Sequence, residues 1–296
     1  MVAIQIIVGT TFTVASAIGI VINCLVLFAI IKGRLLFRGQ NTSVYILSVS
    51  SITMDNFMIL IHVIYLIPSV YLQVSFNIFH KISKFIFNNT INAPPVVIFS
   101  SLMMYCWYYT TFSHILISTT RLFAIVWWKN VELSNRRTIG LVVLIHALSL
   151  GVAAITQFIS PCCRESFSYA VYSYVYQPNG DIPNYSNYFI DLPLNTFSSV
   201  CSIVCYVAII VYMRSLRGSI MTEAARKRRQ QEFVYAMQFA AMAAFYIISW
   251  LSFRILPPFV ADDDEHDWIY GITTLFVLLN AWSNSFVYLV NNAEVS

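Results

Sequence analysis

Charged residues are what this sequence has least of: Asp, Glu, Lys and Arg together make up 10% of its 296 residues, against 58% hydrophobic and 16% aromatic. Average soluble chains carry about a quarter charged residues and under half apolar ones. So little charge cannot cover a soluble surface, and so much apolar side chain excludes a disordered segment. The net charge of +4 does not make a nucleic-acid binder, because the basic residues are few and sit in the gaps between apolar runs. Metal-hydrolase ligand pairs are missing as well. His62, His80, His114, His146 and His266 form no His-x-x-x-His or His-Glu-x-x-His pair, and no Gly-x-Ser-x-Gly elbow occurs. Neither a metal nor a cofactor is expected. Of six cysteines, Cys24, Cys106, Cys201 and Cys205 lie inside apolar runs, where they read as small buried hydrophobes and not as a disulfide framework. Glycine and proline number nine each. The third, fifth and sixth long apolar runs hold no glycine, only Pro68 lies well inside a run, and no internal repeat is found. Transporters tend to show repeats and helices broken at the membrane midplane, so a transporter or ligand-gated channel stands as the second reading.

What is present is a series of long uncharged runs. A bilayer core about 30 Å thick needs about 20 apolar helical residues to cross it. Seven runs qualify, at about 3–31, 44–72, 95–126, 138–159, 189–213, 233–257 and 268–290. The expected fold class is therefore all-α, a seven-transmembrane helix bundle forming one domain over 1–296. The first run lacks the positive start of a signal peptide and ends on Lys32, Arg34 and Arg38, so it reads as a retained helix.

Orientation follows from the positive-inside rule. Lys32, Arg34, Arg38, Arg121, Lys129, Arg136, Arg137, Arg214, Arg217, Arg226, Lys227, Arg228 and Arg229 fall on one side, thirteen of the seventeen basic residues. The other side holds Glu165, Asp181, Asp191 and the acidic cluster Asp262, Asp263, Asp264, Glu265 and Asp267. The basic side is cytoplasmic, which puts the N-terminus outside and the C-terminus inside. Two glycosylation triplets, at Asn88 and Asn184, then fall outside.

Within the spans the ionisable residues are few enough to name. Asp55 and His62, seven apart, are the best acid and base pair for an intramembrane enzyme, but packing against neighbouring helices explains them better, and no enzyme activity is expected. Arg121 ends the third run in Ser118-Thr119-Thr120-Arg121-Leu122-Phe123. Glu232 opens the sixth after a basic cluster and lies eighteen residues before Trp250. Asn284-Ser285-Phe286-Val287-Tyr288 stands in the seventh run, and Asn23 is a lone membrane Asn in the first.

These four features, in this order, resemble the rhodopsin-like seven-helix receptors. Arg121 matches the Arg of their Asp-Arg-Tyr motif, Glu232 the acid that locks it, Trp250 the toggle tryptophan, and Asn284 and Tyr288 the Asn-Pro-x-x-Tyr motif with serine for proline. Departures are Thr120 and Leu122 around the arginine, Ser252 two residues after the tryptophan, and Ser51 at the usual intramembrane Asp position, with Asp55 one turn later. With the run 113–125, Pro161-Cys162-Cys163 at the start of the second outer loop, and Arg228 to Phe233 with Gln238, the chain looks like a nematode serpentine chemoreceptor, most like class x. No lysine in the seventh run matches a retinal site, and no Cys near Pro94 to Ile98 matches the family's outer disulfide.

The resemblance implies a receptor of the plasma membrane, at the sensory cilium, whose partners are a small-molecule ligand, a heterotrimeric G protein and the lipid bilayer. Spacing within the family's helices puts Met103, Met104, Trp107, Trp250, Phe253, Arg254 and Thr274 at the ligand pocket. Arg254 there serves an anionic ligand, or else the outer acids Asp262 to Asp264 or lipid headgroups. Arg121, Glu232, Asn284 and Tyr288 would form the inner switch. Arg226, Lys227, Arg228 and Arg229 would face a G protein or anionic lipid.

Overall fold

The computed structural model describes residues 2–36, 42–72, 94–126, 134–160, 163–168, 171–176, 182–215, 223–256 and 268–291. Seven long helices cross the chain's apolar runs: α1 Val2–Lys32, α2 Thr42–Leu72, α3 Pro94–Val126, α4 Asn135–Ile159, α5 Ser186–Ser215, α6 Glu223–Ile255 and α7 Tyr270–Asn291. Between α4 and α5 lie two short strands, β1 Glu165–Ser168 and β2 Ser173–Tyr176. They pair antiparallel with Glu165 opposite Tyr176 and Ser168 opposite Ser173.

Among the described residues six of the seven helices are long and apolar enough to cross a membrane by composition alone; α3 is the exception. Its place in the bundle explains why. α3 packs against α2, α4, α5 and α6, and the circuit closes through α1, which lies on both α2 and α7. A helix shielded by four others needs little lipid-facing surface, so α3 can bury Ser100, Thr110, Thr111, Ser113, His114, Ser118, Thr120 and Arg121. Several of its hydroxyls are satisfied within the helix: Ser118 Oγ and Thr119 Oγ1 donate to the Ile115 carbonyl, and Thr120 Oγ1 to that of Ile117. The outer helices show the reverse. Val21, Leu25 and Phe28 on α1, Val143 and Leu150 on α4, and Phe197, Val204 and Val207 on α5 are exposed, the surface a lipid-facing helix requires.

Two polar or small residues fix the neighbours of α1. The fully buried Asn23 donates through Nδ2 to the Ala281 carbonyl of α7, 3.2 Å away. At Gly19 a Cβ would come within 2.9 Å of Ile59 Cδ1 and 3.1 Å of Trp282 Cδ1, so only glycine lets α1 seat this closely on α2 and α7.

Three helices widen into π-type turns in their outer halves: His62–Leu66 in α2, Ile155–Ile159 in α4 and Ser186–Asp191 in α5. Two have a visible cause. Proline has no N–H and its ring clashes with the carbonyl four residues back. Pro68 and Pro193 place those carbonyls at Ile64 and Phe189, inside the wide turns. The extra residue in each turn lets the helix continue past the proline, and it re-aims the side chains beyond.

Candidate functional site: the outer cavity and the inner junction

A cavity of about 540 Å³ opens in the outer half of the bundle, lined by residues of α3, α5, α6, α7 and the β1–β2 hairpin. The hairpin forms its outer wall because it is tied down at several points. Ser173 Oγ shares a 2.5 Å hydrogen bond with Thr273 Oγ1, and Thr274 Oγ1 donates to the Tyr172 carbonyl at 2.9 Å. Phe167 meets Tyr65 of α2 edge-on, and Tyr174 meets His62 in the same way, with ring centroids 6.3 and 5.9 Å apart. Glu165 and Tyr176, opposite one another in the register, both reach the cavity.

The cavity floor is apolar and aromatic. Met103, Met104 and Trp107 of α3 and Trp250 and Phe253 of α6 line it. Trp107 packs tilted on Tyr246 at 5.7 Å and edge-on against Phe253 at 6.0 Å. Of the seven residues expected at this end, Thr274 is the one that does not line the cavity: Thr273 does. Consecutive helical residues point about 100° apart, and Thr274 is turned toward the hairpin backbone instead.

Arg254 lines the cavity too, but its guanidinium is already engaged. Nη2 donates to Asp191 Oδ2 at 2.7 Å and Nη1 to Asn187 Oδ1 at 2.6 Å, both on the wide turn of α5. These are its partners among the described residues, and the acidic cluster 262–267 lies outside them. Asp191 in turn accepts from Asn195 Nδ2 at 2.7 Å, and Trp107 and Tyr176 are further donors to it. Asn195 Oδ1 accepts from Tyr246 Oη at 2.6 Å and from Thr111 Oγ1 at 3.0 Å. A hydrogen-bonded chain therefore runs inward from Arg254 through Asp191 and Asn195 to Tyr246 and Thr111, crossing between α6, α5 and α3.

Glu165 is half-buried on β1. Burial and the nearby Asp191 charge push its carboxyl up to about 8, with Arg254 pulling in the opposite direction. Neither Glu165 nor Asp191 is singled out by the sequence as more than an outer charge. Asp191 carries one signal in hindsight, an acid three residues after an aromatic and two before Pro193 at the head of an apolar run.

Midway down, the Asp55 carboxylate accepts a hydrogen bond from Asn284 Nδ2, joining α2 to α7. The ring of His62 bonds through Nδ1 to the Met58 carbonyl at 2.8 Å. Asp55 and His62 thus have separate partners and form no acid and base pair. Tyr288 shares a hydrogen bond with Ser48 of α2 and meets Phe239 of α6 edge-on at 6.4 Å.

At the inner end Arg121 is buried, with 4% of its surface exposed. Its guanidinium lies over the Phe239 ring at 5.7 Å, and it interacts electrostatically with Tyr206 of α5 and Tyr288 of α7. One cation thus sits where α3, α5, α6 and α7 meet. Glu232 and Arg226 belong to the innermost turns of α6, and Arg226 is exposed. The side chains of Glu232, Lys227, Arg228 and Arg229 lie outside the described residues, as does Asn88. Asn184 is half-buried and accepts from the Asn187 amide at 2.9 Å, capping the first turn of α5. Cys163 is disulfide-bonded and Cys24, Cys106, Cys201 and Cys205 are free, while Cys162 lies outside the described residues.

The seven-helix bundle thus holds an outer cavity above a buried inner cation. Residues 12–292 match the family of serpentine type 7TM GPCR chemoreceptors, Srx, and the chain belongs to that family. Its fold is similar to that of squid rhodopsin in a crystal structure, with a TM-score of 0.75 and 15% identity over 100% of this chain and 84% of that one. That likeness concerns the fold alone, and α7 carries no lysine. No curated protein matches the sequence.

Proposed function

We propose that this receptor takes a small molecule into the outer cavity and signals to a heterotrimeric G protein by movement of α6 away from α3, in the plasma membrane of a sensory cell and at its cilium. The reading rests above all on continuity. The cavity is built on the same helices, α3, α5 and α6, that the chain from Arg254 to Thr111 ties together below it, and these helices converge again on Arg121 at the inner end. A ligand that alters the outer packing of α6 therefore acts on a helix whose inner end holds the Arg121 contact. It shifts the equilibrium only by as much as it prefers one state over the other.

Met103, Met104, Trp107, Trp250 and Phe253 give the ligand an apolar bed that suits varied shapes. Arg121 and Glu232 form the inner lock between α3 and α6, and Asn284 and Tyr288 hold α7 to α2 beside it. The run Arg226, Lys227, Arg228 and Arg229 meets the G protein once α6 swings out. The test is GTP exchange on a co-expressed G protein when odorant mixtures are applied. Glu232→Gln should raise exchange without ligand, and Trp250→Ala should abolish the odorant response while leaving surface expression intact. Unchanged basal exchange in Glu232→Gln would remove the lock. An odorant-evoked current with no G protein present would replace the receptor reading with a channel.

A further inference from the structure

We propose that the outer cavity selects a protonated amine carried on an apolar or aromatic body, with the Glu165 carboxylate as its counter-charge. The inference rests on the receptor reading only in taking this cavity as the ligand site.

Among the described residues three ionisable side chains line the cavity, two carboxyl groups and one guanidinium. Arg254 and Asp191 neutralise one another at 2.7 Å, and Asn187 holds the other guanidinium nitrogen at 2.6 Å. The Glu165 side chain is left over: among the described residues it takes part in no hydrogen bond and no ion pair. An unpaired acid facing an apolar cavity is costly, and an incoming ammonium group removes that cost by supplying the missing charge and donors.

The other ligand charges fare worse. An anion would find the only described cation of the cavity already bidentate to α5, and would face two carboxylates. This weighs against the anionic-ligand alternative for Arg254. A neutral ligand leaves Glu165 as it was. The walls favour a cation for a second reason. Trp107, Tyr174, Tyr176, Tyr188, Trp250 and Tyr270 all contribute to the lining, and aromatic faces attract ammonium groups at about 0.5–2 kcal/mol each. The raised carboxyl of Glu165 is what an acid without its counter-ion displays.

Position matters as much as charge. Glu165 is not on a helix but on the hairpin that walls the cavity, locked in register with Tyr176 and pinned to α7 through Ser173 and Thr273. The Met and Trp side chains lie on the opposite, inner side. A ligand with its amine on Glu165 would thus point its apolar end at Trp250 and Met104. At about 540 Å³ the cavity falls in the usual range for small-molecule sites, about 300–1,000 Å³.

The experiment compares three charge forms on shared skeletons with the purified full-length receptor in detergent. The amines are hexylamine, 2-phenylethylamine and tryptamine. Each is matched with its alcohol (1-hexanol, 2-phenylethanol, tryptophol) and with an acid (hexanoate, 3-phenylpropionate, indole-3-propionate). Thermal unfolding reads binding, and GTP exchange on an added G protein reads signalling. At least one amine should raise the unfolding midpoint where its alcohol and acid do not. Glu165→Gln should weaken that amine about 10- to 100-fold, the loss of one charged hydrogen bond, with a ligand-free midpoint no lower than that of the wild type. The proposal is overturned if no amine on any skeleton shifts the midpoint, if the matched alcohol or acid binds as well, or if Glu165→Gln binds the amine unchanged. Amine binding without GTP exchange would keep the site and sink the signalling reading; exchange evoked by an acid or alcohol alone would do the opposite.

Discussion

The Arg254–Asp191 pair joins α6 to α5 at the cavity, and its contribution can be worked from its surroundings. The contact is 2.7 Å, and the side chains are 24% and 10% exposed for Arg254 and Asp191. At an effective dielectric of about 20 the Coulomb attraction at this distance is about 6 kcal/mol, most of it cancelled by desolvation of both groups. Removing one partner of a fully buried pair costs about 3–5 kcal/mol, because the other charge is stranded. Here the cost is smaller for two reasons. Arg254 borders the cavity and keeps its bond to Asn187, and Asp191 keeps its bond to Asn195. Arg254→Gln and Asp191→Asn should therefore each destabilise the receptor by about 2 kcal/mol, lowering the unfolding midpoint by about 4–8 °C at the usual scaling for chains of 150–250 residues. The double variant should lose no more than either single one. Cys106 and Cys205 are free and buried, so a thiol-reactive dye follows unfolding directly. Additive losses in the double variant, or single variants within 0.5 kcal/mol of the wild type, would refute the pair as a tie between α5 and α6.

The other expectations are more local. The Glu165 carboxyl is raised from 4.5 to about 8, so the folded receptor holds a proton that the unfolded chain releases. Its stability from this group is complete below about pH 4.5 and is lost as pH rises toward 8. Glu165→Gln should flatten that loss, which denaturation midpoints between pH 5 and 8 would reveal; an unchanged pH slope would count against it. Tyr246→Phe removes the donor to Asn195 at 2.6 Å and should cost about 1–3 kcal/mol by leaving a buried acceptor short of a partner, measured by the same dye. Gly19→Ala brings a methyl to 3.1 Å from the rigid Trp282 ring and should cost about 1–3 kcal/mol in overpacking, while Gly140→Ala, with nothing within 4 Å, should be neutral or mildly stabilising. Equal stability of the two alanine variants would remove the close approach of α1 to α7.

The spans were legible because lipid imposes a length and a composition on any crossing helix, and the observed ends fall within a few residues of the expected ones except on α6. That helix begins at Glu223 and not 233, since Lys, Arg, Glu and Ala continue a helix readily once it leaves the bilayer. Arg121 was legible as an exception, a charge at the end of an uncharged run. The hairpin was not. Its strands are four residues each, and they are held by contacts to α2 and α7 that no local pattern encodes. For the same reason Glu165 and Asp191 entered the sequence reading only as a side of the membrane. The wide turns hid the rest: a period of 3.6 residues projects Asn187 and Asp191 wrongly when a π turn intervenes, and Pro193 alone does not announce one.

The position of the Arg254–Asp191 pair also bears on how occupancy of the cavity would be felt below it. Asp191 is shared: the same carboxylate receives Arg254 on one side and Asn195 on the other, and Asn195 receives Tyr246 and Thr111. A cation seated on Glu165 adds positive charge near Asp191, and it competes with Arg254 for the field of that carboxylate. Any weakening of Arg254 would loosen α6 from α5 at the outer end while Tyr246, about two turns deeper on α6, still ties it to Asn195. α6 then has a fixed point at Tyr246 and a released end above it, the condition for a lever and not for a slide. If the proposed movement of α6 takes place, motion above Tyr246 would be carried to Phe239 and the Arg121 contact below it. Tyr246→Phe should therefore uncouple the two ends: the ligand should still bind, read by midpoint shift, while ligand-evoked GTP exchange falls. If binding and exchange fall together by the same factor, Tyr246 belongs to the ligand's seat and not to the fulcrum.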